Sequence, residues 1–227
     1  MLIITGDTHS TFDGWRLKPE HFDYSGLTKE DHLLICGDFG FVWTGDERDK
    51  KELDWLEELP VTVVFIDGNH ENFDLLESYP VSEYHGGKVH QIRSNIYHLM
   101  RGQFYELNGY TVFTFGGAFS IDRMLRTPGV SWWAHELPTP EDYAEARKNL
   151  EAHDWRCDLI VTHSAPFSLH HVMFPVFPGD DLSRFLEELK EKMDYDHWYF
   201  GHFHEEKEFG AKISLLYTNY VYLEDKK

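Results

Sequence analysis

Five short apolar runs in this chain each break off at side chains able to bind a metal ion. "LIITGDTH" ends at Asp7 and His9, "LLICGD" at Asp38, and "VVFIDGNHE" at Asn69 and His70. "LIVTHSAP" ends at His163, and "WYFGHFH" at His202 and His204. Several of these runs are apolar at every position, which suits strands covered on both faces. In a sheet the C-terminal strand ends gather at one edge, where open α/β folds place their ligands. The recurrence therefore predicts one cluster of Asp7, His9, Asp38, Asn69, His163, His202 and His204.

The rest of the chain supplies the frame for such a cluster. Strand-like runs fall at Leu2–Thr5, Leu33–Cys36, Val61–Ile66, Val89–Ile92, Leu159–Thr162 and Trp198–Phe200. Helical stripes lie between some of them. Lys50–Leu59 carries Leu53, Leu56 and Leu59, and Asp181–Met193 places Leu182, Phe185, Leu186 and Leu189 on one face. Thr139–His153 opens with Thr139 as N-cap, Pro140 at the first helical position and Asp142 two residues on. "FYELNGYTVFTFGG" reads as a hairpin about Asn108-Gly109, and "KEFGAKISLLYTNYVYL" as a second about Gly210. Together these predict an α/β fold of one domain over residues 1–227, two mixed β-sheets flanked by helices in a four-layer αββα sandwich. Residues 116–138 lack periodicity and form a long loop rich in Gly, Arg and Trp, either a substrate wall or a plain surface excursion.

Composition narrows the function. At 227 residues, 41% hydrophobic and 16% aromatic, the chain is large enough to bury a core. Its net charge of −19 argues against an open basic groove for long duplex nucleic acid. It leaves room for a small phosphorylated or nucleotide substrate, because bound cations would set the local charge. Cys36 and Cys157 lie in apolar runs and read as buried small hydrophobes of a reducing compartment. With no basic leader and no apolar run near ~18 residues, the expected setting is soluble and cytoplasmic, with no membrane partner.

The seven clustered side chains are a mixed nitrogen and oxygen set. Such donors suit Mn²⁺ foremost, with Fe or Zn²⁺ as the other candidates, and they fit a thiolate zinc site poorly. Seven exceed what one ion takes, so two divalent ions are expected. Two ions need a shared ligand, and Asp38, alone on its strand, is the best placed. Residues two apart share a face of an extended segment, so His202 and His204 reach neighbouring ions, as do Asp7 and His9.

The set resembles the calcineurin-like metallophosphoesterase superfamily. The resemblance rests on "GDTH", "CGDFG", "GNHE", "THSAP" and "GHFH", which stand in the family's order from residue 5 to residue 204. It implies that Asp7, His9 and His204 bind the first ion and Asn69, His163 and His202 the second, with Asp38 bridging. It makes His70 the catalytic residue that meets the substrate. The protein Ser/Thr phosphatases of that superfamily follow Gly-Asp with Val-Asp-Arg-Gly, whereas this chain reads "GDFGFVWTGDERD". That departure argues against a protein phosphatase and leaves His70 with no assigned carboxylate partner.

The chemistry so implied is phosphate ester hydrolysis. A hydroxide bridging two ions roughly 3.5–4 Å apart attacks phosphorus in line, and His70 assists the leaving oxygen. Assistance of that kind favours phosphodiesters or nucleotide-like small substrates. The alternatives are a broad phosphomonoesterase, a nuclease on short nucleic acid, or a non-catalytic scaffold of the same fold. Arg123 and Arg126 read as phosphate clamps or as surface charges. Trp132-Trp133 reads as packing before stacking, and His170-His171 as possible lining of the site. His85, His90, His98 and His135 belong to no motif.

Overall fold

The computed structural model describes residues 1–226. Thirteen strands and five α-helices follow one another along them. The first six strands are β1 (Leu2–Thr5), β2 (His32–Ile35), β3 (Thr62–Phe65), β4 (Val81–Tyr84), β5 (Gly87–Arg93) and β6 (Ile96–Leu99). The next six are β7 (Gln103–Leu107), β8 (Tyr110–Phe115), β9 (Leu159–Thr162), β10 (His197–Phe200), β11 (Lys207–Phe209) and β12 (Ile213–Leu215). The last, β13 (Tyr220–Leu223), returns to the first group. One sheet runs in the order β13-β1-β2-β3-β6-β5-β4, the other β11-β12-β10-β9-β8-β7.

Alternation along the strands explains why these runs are apolar throughout. Leu2 and Ile4 of β1, Leu34 of β2 and Val64 of β3 pack against Tyr105, Val112, Leu159 and Val161 of the other sheet. Their neighbours Ile3, Leu33, Ile35, Val63 and Phe65 face the opposite way, onto Leu53 and Leu56 of α1 (Glu47–Glu58). On the far side, Phe113, Phe115, Ile160 and Trp198 pack against α3 (Pro140–Ala152) and α5 (Asp181–Lys192) through Leu150, Phe185, Leu186 and Leu189. Three apolar interfaces separate four layers, as expected from the sequence. Two short helices, α2 (Phe73–Leu76) and α4 (Phe167–Met173), lie close to the strand ends.

The helix signals hold closely. Thr139 and Asp142 form the reciprocal capping box that starts α3. Helix α1 starts ahead of Lys50, because Asp46 accepts from the Arg48 N–H and caps it at Glu47. The Asn108-Gly109 hairpin joins β7 to β8, with Leu107 opposite Tyr110. The second hairpin is shorter than expected. Lys207–Phe209 pairs with Ile213–Leu215, but β13 leaves for the other sheet and pairs with β1, Leu2 opposite Leu223. Strands β4 and β6 are additions to the sequence reading. Residues 116–138 hold two 3-10 turns, at Arg123–Leu125 and Ala134–Glu136. Both cysteines are free and buried. Among the described residues, no helix is long and apolar enough to cross a membrane.

Strand direction is what sets up the site. β1, β2 and β3 run parallel with Thr5, Ile35 and Phe65 in line at their C-terminal ends. β8, β9 and β10 do the same in the second sheet, ending at Phe115, Thr162 and Phe200. The five motifs follow β1, β2, β3, β9 and β10, and so leave both sheets at a common edge.

Candidate metal centre

The chain turns sharply as it leaves these strands. His9, Asp38, His202 and His204 adopt left-handed backbone, with φ of 42°, 47°, 75° and 52°. Non-glycine residues rarely do so, at a cost on the order of 1–3 kcal/mol each, and such strain collects at functional sites. Glycines in the motifs let backbone approach the carboxylates. A Cβ on Gly68 would lie 2.1 Å from Asp38 Oδ1, and one on Gly201 would lie 2.2 Å from Asp7 Oδ1.

The structure brings all seven sequence-named side chains together. Asp7, His9, Asp38 and His204 each offer a donor atom, and these atoms lie within 4.8 Å of one another. His204 Nε2 is 3.2 Å from Asp7 Oδ2, and His9 Nε2 is 3.2 Å from Asp38 Oδ2. The other carboxylate oxygen, Asp38 Oδ1, faces His163 Nε2 at 3.3 Å. That nitrogen also lies 3.2 Å from Asn69 Oδ1, and the His163 and His202 rings are 5.1 Å apart. The two oxygens of Asp38 thus look toward different halves of the cluster.

Surrounding groups fix the orientation of these donors. Asp13 sits 2.8 Å from His9 Nδ1, which turns Nε2 inward. The Cys36 carbonyl accepts from His163 Nδ1 at 2.7 Å, which turns its Nε2 toward Asp38 and Asn69. Asn69 donates to the Ser120 hydroxyl, which donates in turn to Glu136. The His202 N–H donates to Asp7, and His204 stacks on Tyr217 at 4.7 Å. Sequence reasoning missed Asp13, Ser120, Glu136 and Tyr217. Only Asp13 carried a local signal, its spacing of four from His9.

His70 is placed by its backbone, whose N–H donates to Asp38 Oδ1 at 2.7 Å. Its ring Nε2 lies 2.9 Å from Arg126, so the partner that the sequence left open is a guanidinium from the 116–138 loop. Arg126 also pairs with Asp122 and is mostly buried. Arg123 lies instead over the Phe119 ring, 4.4 Å from its centroid. Trp133 packs edge-on against Trp43 and donates to Asp74. His170 lines a hollow beside the cluster. His90 and His98 are buried next to each other, and His98 reaches Asp67; His85 and His135 take surface partners.

Charge balance shows that the cluster accommodates cations. Asp7 and Asp38 are buried, and among the described residues neither carboxylate has a Lys or Arg partner. Burial opposes the charged form of Asp38, yet the adjacent His163 and His9 hold its carboxyl well below the usual range. Burial likewise opposes charge on the histidines, but their hydrogen bonds to Asp38 and its negative charge carry His9 up to about 9 and His163 up to about 10. Burial and the charge of His163 push His202 well down, and burial with Arg126 nearby lowers His70 against the pull of Asp38. Protons on His9 and His163 therefore supply the positive charge that a divalent ion would supply in their place. The donor set fits such ions.

Known proteins resemble this chain. The calcineurin-like phosphoesterase family matches residues 1–206. A lariat debranching enzyme of Drosophila melanogaster is 28% identical over 239 residues, covering 89% of this chain. The matched region spans 42% of that relative's length. Among solved structures, a phosphopantetheinyl hydrolase from Mycobacterium tuberculosis superposes with a TM-score of 0.45 at 16% identity, covering 96% of this chain and 89% of its own. The family match takes in every motif that feeds the cluster. The chain belongs to the calcineurin-like phosphoesterase family.

Proposed function

We propose that this protein hydrolyses phosphate esters at a centre for two divalent ions, with phosphodiesters or nucleotide-like small molecules as its substrates. Asp7, His9, Asp38 and His204 would hold one ion, and Asp38, Asn69, His163 and His202 the second. Mn²⁺ is the first choice for this donor set. The observation that carries the reading is Asp38, whose Oδ2 lies beside His9 and whose Oδ1 lies beside His163. When bound, such ions supply Lewis acidity toward phosphoryl oxygens and lower the pKa of water.

The chain's own residues supply the remaining steps. Asp13 and the Cys36 carbonyl keep His9 and His163 in fixed orientations, so the ligand atoms need not reorganise. Arg126 is a phosphate clamp held ready on His70 Nε2. A phosphate oxygen is a stronger acceptor than an imidazole, and a guanidinium fork matches it in shape. Transfer of Arg126 to the substrate frees His70 Nε2, which takes a proton from solvent and, as the proposed catalytic residue, passes it to the leaving oxygen, returning to the neutral imidazole. Diesters with alkoxide leaving groups gain most from that help. The lariat debranching relative and the net charge of −19 are consistent with compact nucleotide-type esters rather than long duplexes.

The test is turnover of bis-p-nitrophenyl phosphate, p-nitrophenyl phosphate and cyclic nucleotides with added Mn²⁺. The expected result is cleavage favouring diesters. His70→Ala should retain its metal and lose about 10²-fold or more on poor leaving groups, with less loss on p-nitrophenolate. Failure of fully metallated protein to turn over any ester contradicts the reading and favours a scaffold of the same fold.

A further inference from the structure

Two hollows meet at the metal centre. The larger, about 870 Å³, opens past His9, His70 and His204 toward Phe12 and Trp43. The smaller, about 430 Å³, is reached past Asp38, Asn69 and His202, and shares His70 and His204 with the first. A phosphomonoester has one arm to place beside the ligands, whereas a diester has two.

The smaller hollow carries a group of rings among its walls. Away from the ligands, Phe119, His170, Met173, Phe174 and Phe203 line one part of it, and polar side chains including Asp122, Arg126 and Glu205 line the rest. His170 stacks on Phe177 at 3.9 Å and meets Phe203 edge-on at 5.1 Å. It is 5% exposed, and its Nδ1 is buried without a hydrogen-bond partner. Phe174, by contrast, leaves 38% of its surface exposed beside a largely polar cluster. Apolar rings beside a few polar side chains are the make-up of a ligand site. Aromatic walls favour planar rings, which pack by offset or edge contacts, over flexible chains.

We propose that this hollow is the subsite for one ester arm of a phosphodiester, and that the arm carries a planar aromatic ring of nucleobase size. The ring lies against Phe174 and Phe203, and the larger hollow receives the second arm. The assignment rests on the phosphoesterase reading above.

Calorimetric titration of the Mn²⁺-loaded protein with methyl-, n-hexyl- and phenylphosphonate tests the subsite without turnover. Phenylphosphonate should bind about tenfold tighter than methylphosphonate. Phe174→Ala should remove most of that preference, and Phe174→Tyr should keep it. Equal binding of methyl and phenyl probes, or tighter binding of the hexyl probe, overturns the proposal. Parallel assays of methyl and phenyl p-nitrophenyl phosphate separate the two readings. Turnover with no ring preference overturns the subsite and leaves the hydrolase standing. Ring preference without turnover of either ester overturns the hydrolase and leaves the subsite.

Discussion

Asp38 is buried with histidines for company, and in the metal-free protein it keeps protons on His9 and His163. The folded values of about 9 and about 10 lie above the ~6.5 of an unfolded histidine. Stability from these protons is therefore complete below about pH 6.5 and is lost as pH rises through 9 to 10. Thermal unfolding of chelator-treated protein should show Tm falling between pH 7 and pH 10. Mn²⁺-loaded protein carries no such protons, so its Tm should vary less. A metal-free Tm that climbs across this window contradicts the charge balance described here. The seven proposed ligands were legible because each one ends an apolar run. The groups that orient them were not, since Ser120 and Glu136 meet through loop folding, with no pattern in the residues between. Arg126 was visible only as one of two arginines in an aperiodic loop, and its contact with His70 separates it from Arg123.

At the scale of elements, local chemistry decided what was legible. The Thr-Pro-x-Asp start of α3 appears in the structure as a capping box. Thr139→Ala should cost about 1 kcal/mol in urea unfolding, with metal content unchanged, because α3 packs on the second sheet away from the ligand turns. Loss of metal in that variant would show that the helix start supports the centre directly. β4 escaped notice because it is an edge strand with alternating exposure and little apolar signal. β13 was misplaced for a different reason. Its residues carry strand character wherever they pair, and the choice of β1 over β12 is a tertiary one. The turn that carries the chain from one sheet to the other, past Tyr217, also brings the ring that stacks on His204.

For the whole molecule, the decisive feature is the shared direction of two sets of parallel strands. It puts motifs from residue 7 and residue 204 against each other, with Asp7 Oδ2 3.2 Å from His204 Nε2. Layering was readable from runs apolar at every position, while strand order and the hollows on either side of the centre appear only in three dimensions. The central claim is that these seven side chains gather two cations about one carboxylate. Anomalous scattering from crystals of the Mn²⁺-loaded protein tests it most directly. Two peaks about 4 Å apart, both bonded to Asp38, are expected, with the pair lost in Asp38→Asn. A single peak in the wild-type protein, or two peaks that do not share Asp38, would contradict the account.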